Sequence, residues 1–292
     1  MTALPVALRW GAATTSGWRS DGNEDSFVVG ETLFAVADGL GGYNGGEIAS
    51  QLAVRILHRA ARQNTLPMSG WLDDLLLPDH IRSLKPGTRS LYQTFREIDH
   101  AILERATHDL HLTGMATTLC AMQIHQSEDG DRNHGAPYFS IANVGDSRLY
   151  RFSGNKLRQI TEDHTVAQEL IHEGRMTEQQ AMQHESRHKL TQALGGFLSE
   201  RGVDMWEIPI QAGDRFMLCS DGLVEGIDSR GIVRLLAKHK NAQATADALV
   251  KESCKKDGRD DTTTVVVDVI TARSPKTTPN TCLLYTSPSP RD

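Results

Sequence analysis

The chain has 292 residues, 39% hydrophobic and 23% charged, enough for one large domain or two small ones at ~150 residues each. Its 31 basic and 37 acidic residues leave a net charge of −6, which argues against a general nucleic-acid or anionic-membrane binder. No run nears the ~18 apolar residues of a membrane span, and Cys120, Cys219, Cys254 and Cys282 show no paired spacing; a reducing cytoplasm is the expected setting.

In chain order, short apolar runs rich in β-branched or aromatic residues predict strands at Ser26–Val29, Leu33–Ala37, Thr117–Ile124, Tyr138–Val144, Arg148–Phe152, Met205–Ile210, Phe216–Cys219 and Thr263–Ile270. Helical spacing places Ile48, Leu52, Ile56 and Ala60 on one face of Gly46–Arg62, and Leu91, Phe95, Ile98 and Ile102 on one face of Thr88–Ala106. Val166–Glu173, Ile232–His239 and Ala242–Lys255 are further candidate helices. Strands come in adjacent pairs without regular strand–helix alternation, so packed antiparallel sheets with helices outside fit better than a doubly wound parallel sheet. From Arg273 to Asp292, eleven of twenty residues are Ser, Thr or Pro. That composition predicts a disordered tail over 271–292, and its end from Leu283 resembles translated adaptor sequence, so the expected domain is 8–270.

Acidic residues sit where strands end. Glu24 and Asp25 precede one run; Asp38, Asp146 and Asp221 each follow one; Asp260 and Asp261 precede the last. Any single Asp-Gly reads first as a turn. As a set, the strand ends could bring several carboxylates into one small volume, where they could not all ionise without cations between them. Oxygen-only donors favour hard ions such as Mg²⁺ or Mn²⁺, and a pair of them suits in-line phosphoryl displacement by an activated water.

Six motifs in one order carry a resemblance: Arg19…Asn23-Glu24-Asp25-Ser26, Val36-Ala37-Asp38-Gly39-Leu40-Gly41-Gly42, Gly114-Met115-Ala116-Thr117-Thr118, Asn143-Val144-Gly145-Asp146-Ser147-Arg148, Leu218-Cys219-Ser220-Asp221-Gly222-Leu223 and Arg259-Asp260-Asp261-Thr262-Thr263. The series resembles the metal-dependent serine/threonine protein phosphatases of the type 2C (PPM) family in their bacterial form, from about Gly11 to Ile270.

The resemblance implies an α+β fold, a four-layer α-β-β-α sandwich of two antiparallel sheets flanked by helices. It implies two Mn²⁺ or Mg²⁺ ions held by Asp38 (bridging), the Gly39 carbonyl, Asp221, Asp260 and Glu24, with Asp25, Asp146 and Asp261 orienting metal-bound waters. Arg19 would take the phosphate oxygens through its planar fork of donors. Phosphorylated proteins would be the substrates and a Ser/Thr kinase the opposing enzyme, with the phosphatase a cytoplasmic monomer binding neither nucleic acid nor membrane. A non-catalytic phosphoprotein-binding or regulatory member of the fold is the alternative.

Three departures stand out. One residue more than the family's usual number separates Arg19 from Asn23. Leu40 stands where animal members carry a histidine. Thr113 and Ala116 depart from the segment that serves a third ion in many bacterial members, which puts that ion in doubt. The polar insert between His164 and Leu190 resembles the family's flap, and reads equally as a solvated surface helix. Inside it, His184-Glu185-Ser186-Arg187-His188 matches the H-E-x-x-H zinc-protease pattern, though the longer motif's Gly and third His are replaced by Thr191 and Leu194. Arg148, Arg151 and Arg158 form no dense cluster and are expected at the surface.

Overall fold

Two antiparallel sheets stack face to face in the computed structural model, which describes residues 6–18, 22–41, 45–63, 77–125, 136–181, 184–196, 198, 202–256, 258–271 and 283–285. One sheet has the order β1 (Val6–Thr15), β12 (Thr262–Thr271), β11 (Arg215–Cys219), β8 (Arg148–Ser153), β9 (Lys156–Gln159). The other has the order β10 (Asp204–Pro209), β7 (Tyr138–Val144), β6 (Leu119–His125), β3 (Leu33–Ala37), β2 (Ser26–Val29), β13 (Leu283–Tyr285). A two-residue pair, β4 (Gly39–Leu40) with β5 (Ala116–Thr117), continues from the end of β3. Helices α1 (Gly45–Gln63), α2 (Asp79–Arg82) and α3 (Pro86–His108) precede β5; α4 (Val166–His172) and α5 (Glu178–Ala181) lie in the insert after β9; α6 (Asp221–Gly226), α7 (Ser229–Lys238) and α8 (Ala242–Lys256) lie between β11 and β12.

Strand alternation builds the four layers. Phe34 and Val36, Cys120 and Met122, and Phe139 and Ile141 point from the second sheet into the sandwich, against Phe216, Leu218, Val265 and Val267 of the first. Phe139 meets Phe216 edge-on at 5.1 Å between ring centres. Each such side chain is worth ~1.5–3 kcal/mol when fully buried. The intervening residues face the other way. Ala35, Ala37, Ala121 and Ala142 lie under α1 and α3, while Met217, Cys219 and Val266 lie under α6, α7 and α8. The sandwich expected from the strand pairing and the resemblance is the one observed.

The structure departs from the sequence reading in several places. The buried apolar side chains of α1 are Ala49, Ala53, Val54, Ile56 and Leu57, whereas Ile48, Leu52 and Ala60 are only partly buried. Alanines face the sheet because they let the helix approach it closely. Strand β1 was not anticipated, since Val6, Leu8, Trp10 and Ala12 only partly bury against the sandwich. It pairs with β12 from Val6↔Thr271 to Thr15↔Thr262. Its outer edge is met by Gln243 of α8, whose amide exchanges hydrogen bonds with Ala12 N and O at 3.1 and 2.8 Å. Most of the expected tail lies outside the described residues; within it, Leu283–Tyr285 pair with β2. Among the described residues no helix is long and apolar enough to cross a membrane.

Candidate active site

The loops that leave the buried strands at one end of the sandwich carry the acidic residues. Asp38 ends β3, and its backbone is locked from both sides: Thr118 N and Thr117 Oγ1 donate to its carbonyl, each at 2.8 Å, and its own N–H donates to Thr118 Oγ1 at 3.1 Å. Thr118 Oγ1 in turn shares a hydrogen bond with buried Ser147, next to Asp146. Gly145 before it has φ +100°, and a Cβ there would lie 2.6 Å from Thr118, so the turn presenting Asp146 requires glycine.

Gly39 and Gly46 form a second contact that needs bare backbone. A Cβ on Gly39 would fall 2.2 Å from Gly46 O, and one on Gly46 would fall 2.8 Å from Glu24 Oε2. Asp221 opens α6, one residue past β11, with Ser220 as the N-cap. Ser220 Oγ donates to Asp25 Oδ2 at 2.8 Å and accepts from Thr263 N at 3.0 Å, joining β11, β12 and the loop before β2. Asp261 accepts from Gly17 N at 2.7 Å and Glu24 N at 2.6 Å, so it fastens two loops. Arg19 lies outside the described residues. The segment leading to it is held against the Asp260 loop by Gly17 and by Trp18 N, which donates to Gly258 O at 2.9 Å.

Electrostatics show that the acidic groups converge. Burial, then the charges of Asp25, Asp221, Asp146 and Asp260, push the Asp38 carboxyl well above its ordinary range. Burial and Asp261, Glu47 and Asp260 raise Glu24 to about 7. Asp260 and Asp146 are raised as well, each by burial first and Asp221 next. Burial also raises Asp25, partly offset by the hydroxyls of Thr263 and Ser220. Such groups repel one another until a cation lies between them. Asp221 Oδ1 is buried with no hydrogen-bond partner, an acceptor left for something other than protein. The donors are all oxygen, so the residues fit hard divalent ions.

The rival H-E-x-x-H match does not form the helix that a zinc-protease motif needs. Residues 184–188 are turns rather than helix. His184 Nδ1 accepts from Ser186 N at 3.2 Å, while His188 Nδ1 lies 2.8 Å from Glu225 Oε1 and 3.8 Å from Asp221 Oδ2. Arg148 is also not a simple surface residue. Its Nε lies 2.9 Å from both carboxylate oxygens of Asp163, and its Nη1 donates to Tyr150 Oη. The sequence reading missed Glu225 and the Thr117–Thr118–Ser147 hydroxyl chain, and it singled out His188 only as a partner of His184. Helical spacing could have pointed to Glu225, four residues and one turn beyond Asp221, but no local pattern points to His188 meeting that helix.

The protein phosphatase 2C family model matches residues 19–256. The serine/threonine phosphatase Stp of Listeria monocytogenes is 32% identical over 251 residues, 84% of this chain and 90% of that protein. The serine/threonine protein phosphatase PstP of Mycobacterium tuberculosis is 32% identical over 273 residues, 92% of this chain but 46% of PstP. The crystal structure of the PstP catalytic domain in complex with two manganese ions superposes with a TM-score of 0.70 at 31% identity, covering 91% of this chain and 100% of that one. The carboxylate cluster thus lies in a fold shared with a manganese-bound relative, and the chain belongs to the protein phosphatase 2C family of enzymes.

Proposed function

We propose that this protein hydrolyses phosphoserine and phosphothreonine in proteins, using two Mn²⁺ or Mg²⁺ ions. The observation that carries the reading is the raised Asp38 carboxyl, surrounded by Asp25, Asp221, Asp146 and Asp260, which calls for positive charge at the end of β3. Asp38, the Gly39 carbonyl, Asp221, Asp260 and Glu24 would hold the ions, and Asp25, Asp146 and Asp261 would orient waters around them. When bound, such a pair lowers the pKa of a water and neutralises charge on phosphoryl oxygens. The chain's own contribution is geometric. The hydroxyls of Thr117 and Thr118 fix the Asp38 backbone, Ser220 fixes Asp25, and Asp261 ties the Gly17 and Glu24 loops together. Arg19, just beyond Trp18, would take the phosphate oxygens of the substrate. A Ser/Thr protein kinase would be the opposing activity, and the protein would work as a cytoplasmic monomer.

The test is phosphate release from a phosphothreonine peptide by the full chain with Mn²⁺, with Mg²⁺ and with EDTA, beside Asp38→Asn. Release that needs the ion and is lost in the variant is expected. No release from folded, ion-bound protein would overturn catalysis and leave a phosphoprotein-binding member of the family.

A further inference from the structure

The turn that presents Asp146 runs from Val144, the last residue of β7, to Arg148, the first of β8. Two successive residues of the loop between β9 and α4 grip it near its ends. Asp163 takes the Arg148 guanidinium, with both carboxylate oxygens 2.9 Å from Nε. His164 takes Gly145. Its backbone N–H donates to Gly145 O at 3.0 Å, and the Gly145 N–H donates back to His164 Nδ1 at 3.1 Å. On the far side of the ring, Nε2 lies 3.2 Å from Oδ2 of Asp204, the first residue of β10. His164 is buried, and its carbonyl accepts from Thr191 N where the insert rejoins the body.

These contacts fix the proton on the ring. A backbone N–H only donates, so Nδ1 presents a lone pair to Gly145 and the ring proton sits on Nε2, where the Asp204 carboxylate accepts it. The opposite tautomer would set Nδ1–H against the Gly145 N–H and a lone pair against a carboxylate, so both contacts would turn repulsive. Asp146 faces the like charges of Asp221 and Asp163. Those charges push it out of the cluster, and Gly145, at φ +100°, is the least constrained backbone in the turn. The turn therefore needs a hold from outside. We propose that His164 is a positioning residue for Asp146: as the Nε2–H tautomer kept by Asp204, it grips the Gly145 backbone and so fixes where the next carboxylate points. Its effect on turnover rests on the reading of Asp146 as a residue that orients water around the ions; the grip itself does not.

Asparagine and glutamine separate the two ring nitrogens. The amide of His164→Asn sits where Nδ1 does and keeps an acceptor for Gly145. The amide of His164→Gln reaches the place of Nε2, so it keeps the Asp204 partner and loses the grip. A space-filling role would rank Gln above Asn, because Gln is nearer to His in size; positioning ranks them the other way. With Mn²⁺ and a phosphothreonine peptide, His164→Gln should lose ~10–100-fold in kcat with KM nearly unchanged, the scale on which groups that orient a metal site from outside it act. His164→Asn should recover most of that loss. In the ion-free full chain, ¹⁵N NMR should show an unprotonated Nδ1 on His164, coupled across the hydrogen bond to the Gly145 nitrogen. Asp204→Asn, at a partly exposed position, should weaken that coupling, since an amide either accepts from Nε2 or donates to it and so releases the tautomer. A protonated Nδ1, a missing coupling, or a Gln variant equal to or faster than the Asn variant would overturn the proposal. If wild type releases no phosphate, the phosphatase reading falls alone, provided that the coupling is present and the Gly145 N–H exchanges faster in His164→Gln than in His164→Asn. Without those two signals, both fall.

Discussion

Replacing Glu24 by Gln should stabilise the ion-free protein and destabilise the ion-loaded one. In the folded chain, burial and the charges of Asp261, Glu47 and Asp260 raise Glu24 from 4.5 to about 7. The folded state therefore keeps a proton that the unfolded chain gives up, and the stability of the ion-free protein falls as pH rises through that window. A shift of that size corresponds to ~3 kcal/mol. Because the carboxyl is only partly buried, screening by water and salt reduces this to ~1–2 kcal/mol. Glutamine has no charge to confine, so above pH 7 the ion-free variant should melt higher than wild type, by roughly 2–6 °C for a chain of this length. The gap should narrow as pH falls and close near 4.5, where Glu24 is protonated in both states. Mn²⁺ at a hundredfold excess over its dissociation constant adds ~2.7 kcal/mol per site to the state that binds it. Wild type should gain that in full and the variant less, reversing the order. Calorimetric melts of both proteins across pH, with EDTA and with Mn²⁺, measure each part. An ion-free variant less stable than wild type above pH 7, or a gap that does not change with pH, would refute the account of Glu24 as a confined charge.

Asp38→Asn should lower phosphopeptide turnover by at least ~10²-fold, the scale of losing one preorganised charge contact, measured as phosphate release. The same variant should raise the ion-free melting temperature, because the removed charge faces Asp25, Asp221, Asp146 and Asp260. Ser220→Ala should cost ~1–3 kcal/mol in urea unfolding, since it strips a donor from buried Asp25 and an acceptor from Thr263 N. Arg215→Leu should cost about 3–5 kcal/mol in the same assay. Arg215 pairs in bidentate fashion with Asp268 across β11 and β12 and also donates to the carbonyls of Leu236 and His239, so its loss leaves a half-buried carboxylate and two carbonyls without their donor.

The layers were legible because the sandwich uses alternation. In Leu33–Ala37 the order Leu-Phe-Ala-Val-Ala already separates a face of large side chains from a face of small ones, and the structure puts Phe34 and Val36 in the sandwich and Ala35 and Ala37 under helices. Elements with one-sided or partial burial were not legible. Each of the ten residues of β1 pairs with β12, yet only Gly11 of the strand is fully buried, and there a Cβ would lie 2.2 Å from the backbone of Gln243. Its place depends on a strand some 250 residues later and on α8, neither of which leaves a mark on the local pattern. The stripe of α1 was misplaced for a related reason. The sequence reading weights large apolar residues, but a helix packed closely on a sheet turns its alanines inward.

The acidic site divides along the same line. Its carboxylates were legible because each sits at the boundary of an apolar run, so strand ends alone bring them near one another. The groups that arrive from outside the sheets were not. His188 attracted notice for the wrong partner: spacing pairs it with His184, as helical zinc ligands would be paired, whereas the chain from 184 to 188 forms turns and sends His188 to Asp221 and Glu225. A spacing motif carries information only if the segment adopts the secondary structure that gives the spacing its meaning. In this insert, the stem at Val166 and Lys189 fixes where the segment sits, and α6 supplies the carboxylates that meet it. Any chemistry of His188 is therefore set by tertiary placement beside Asp221, and substitutions in the insert that preserve the stem should leave the Asp38 cluster intact while changing what lies over it.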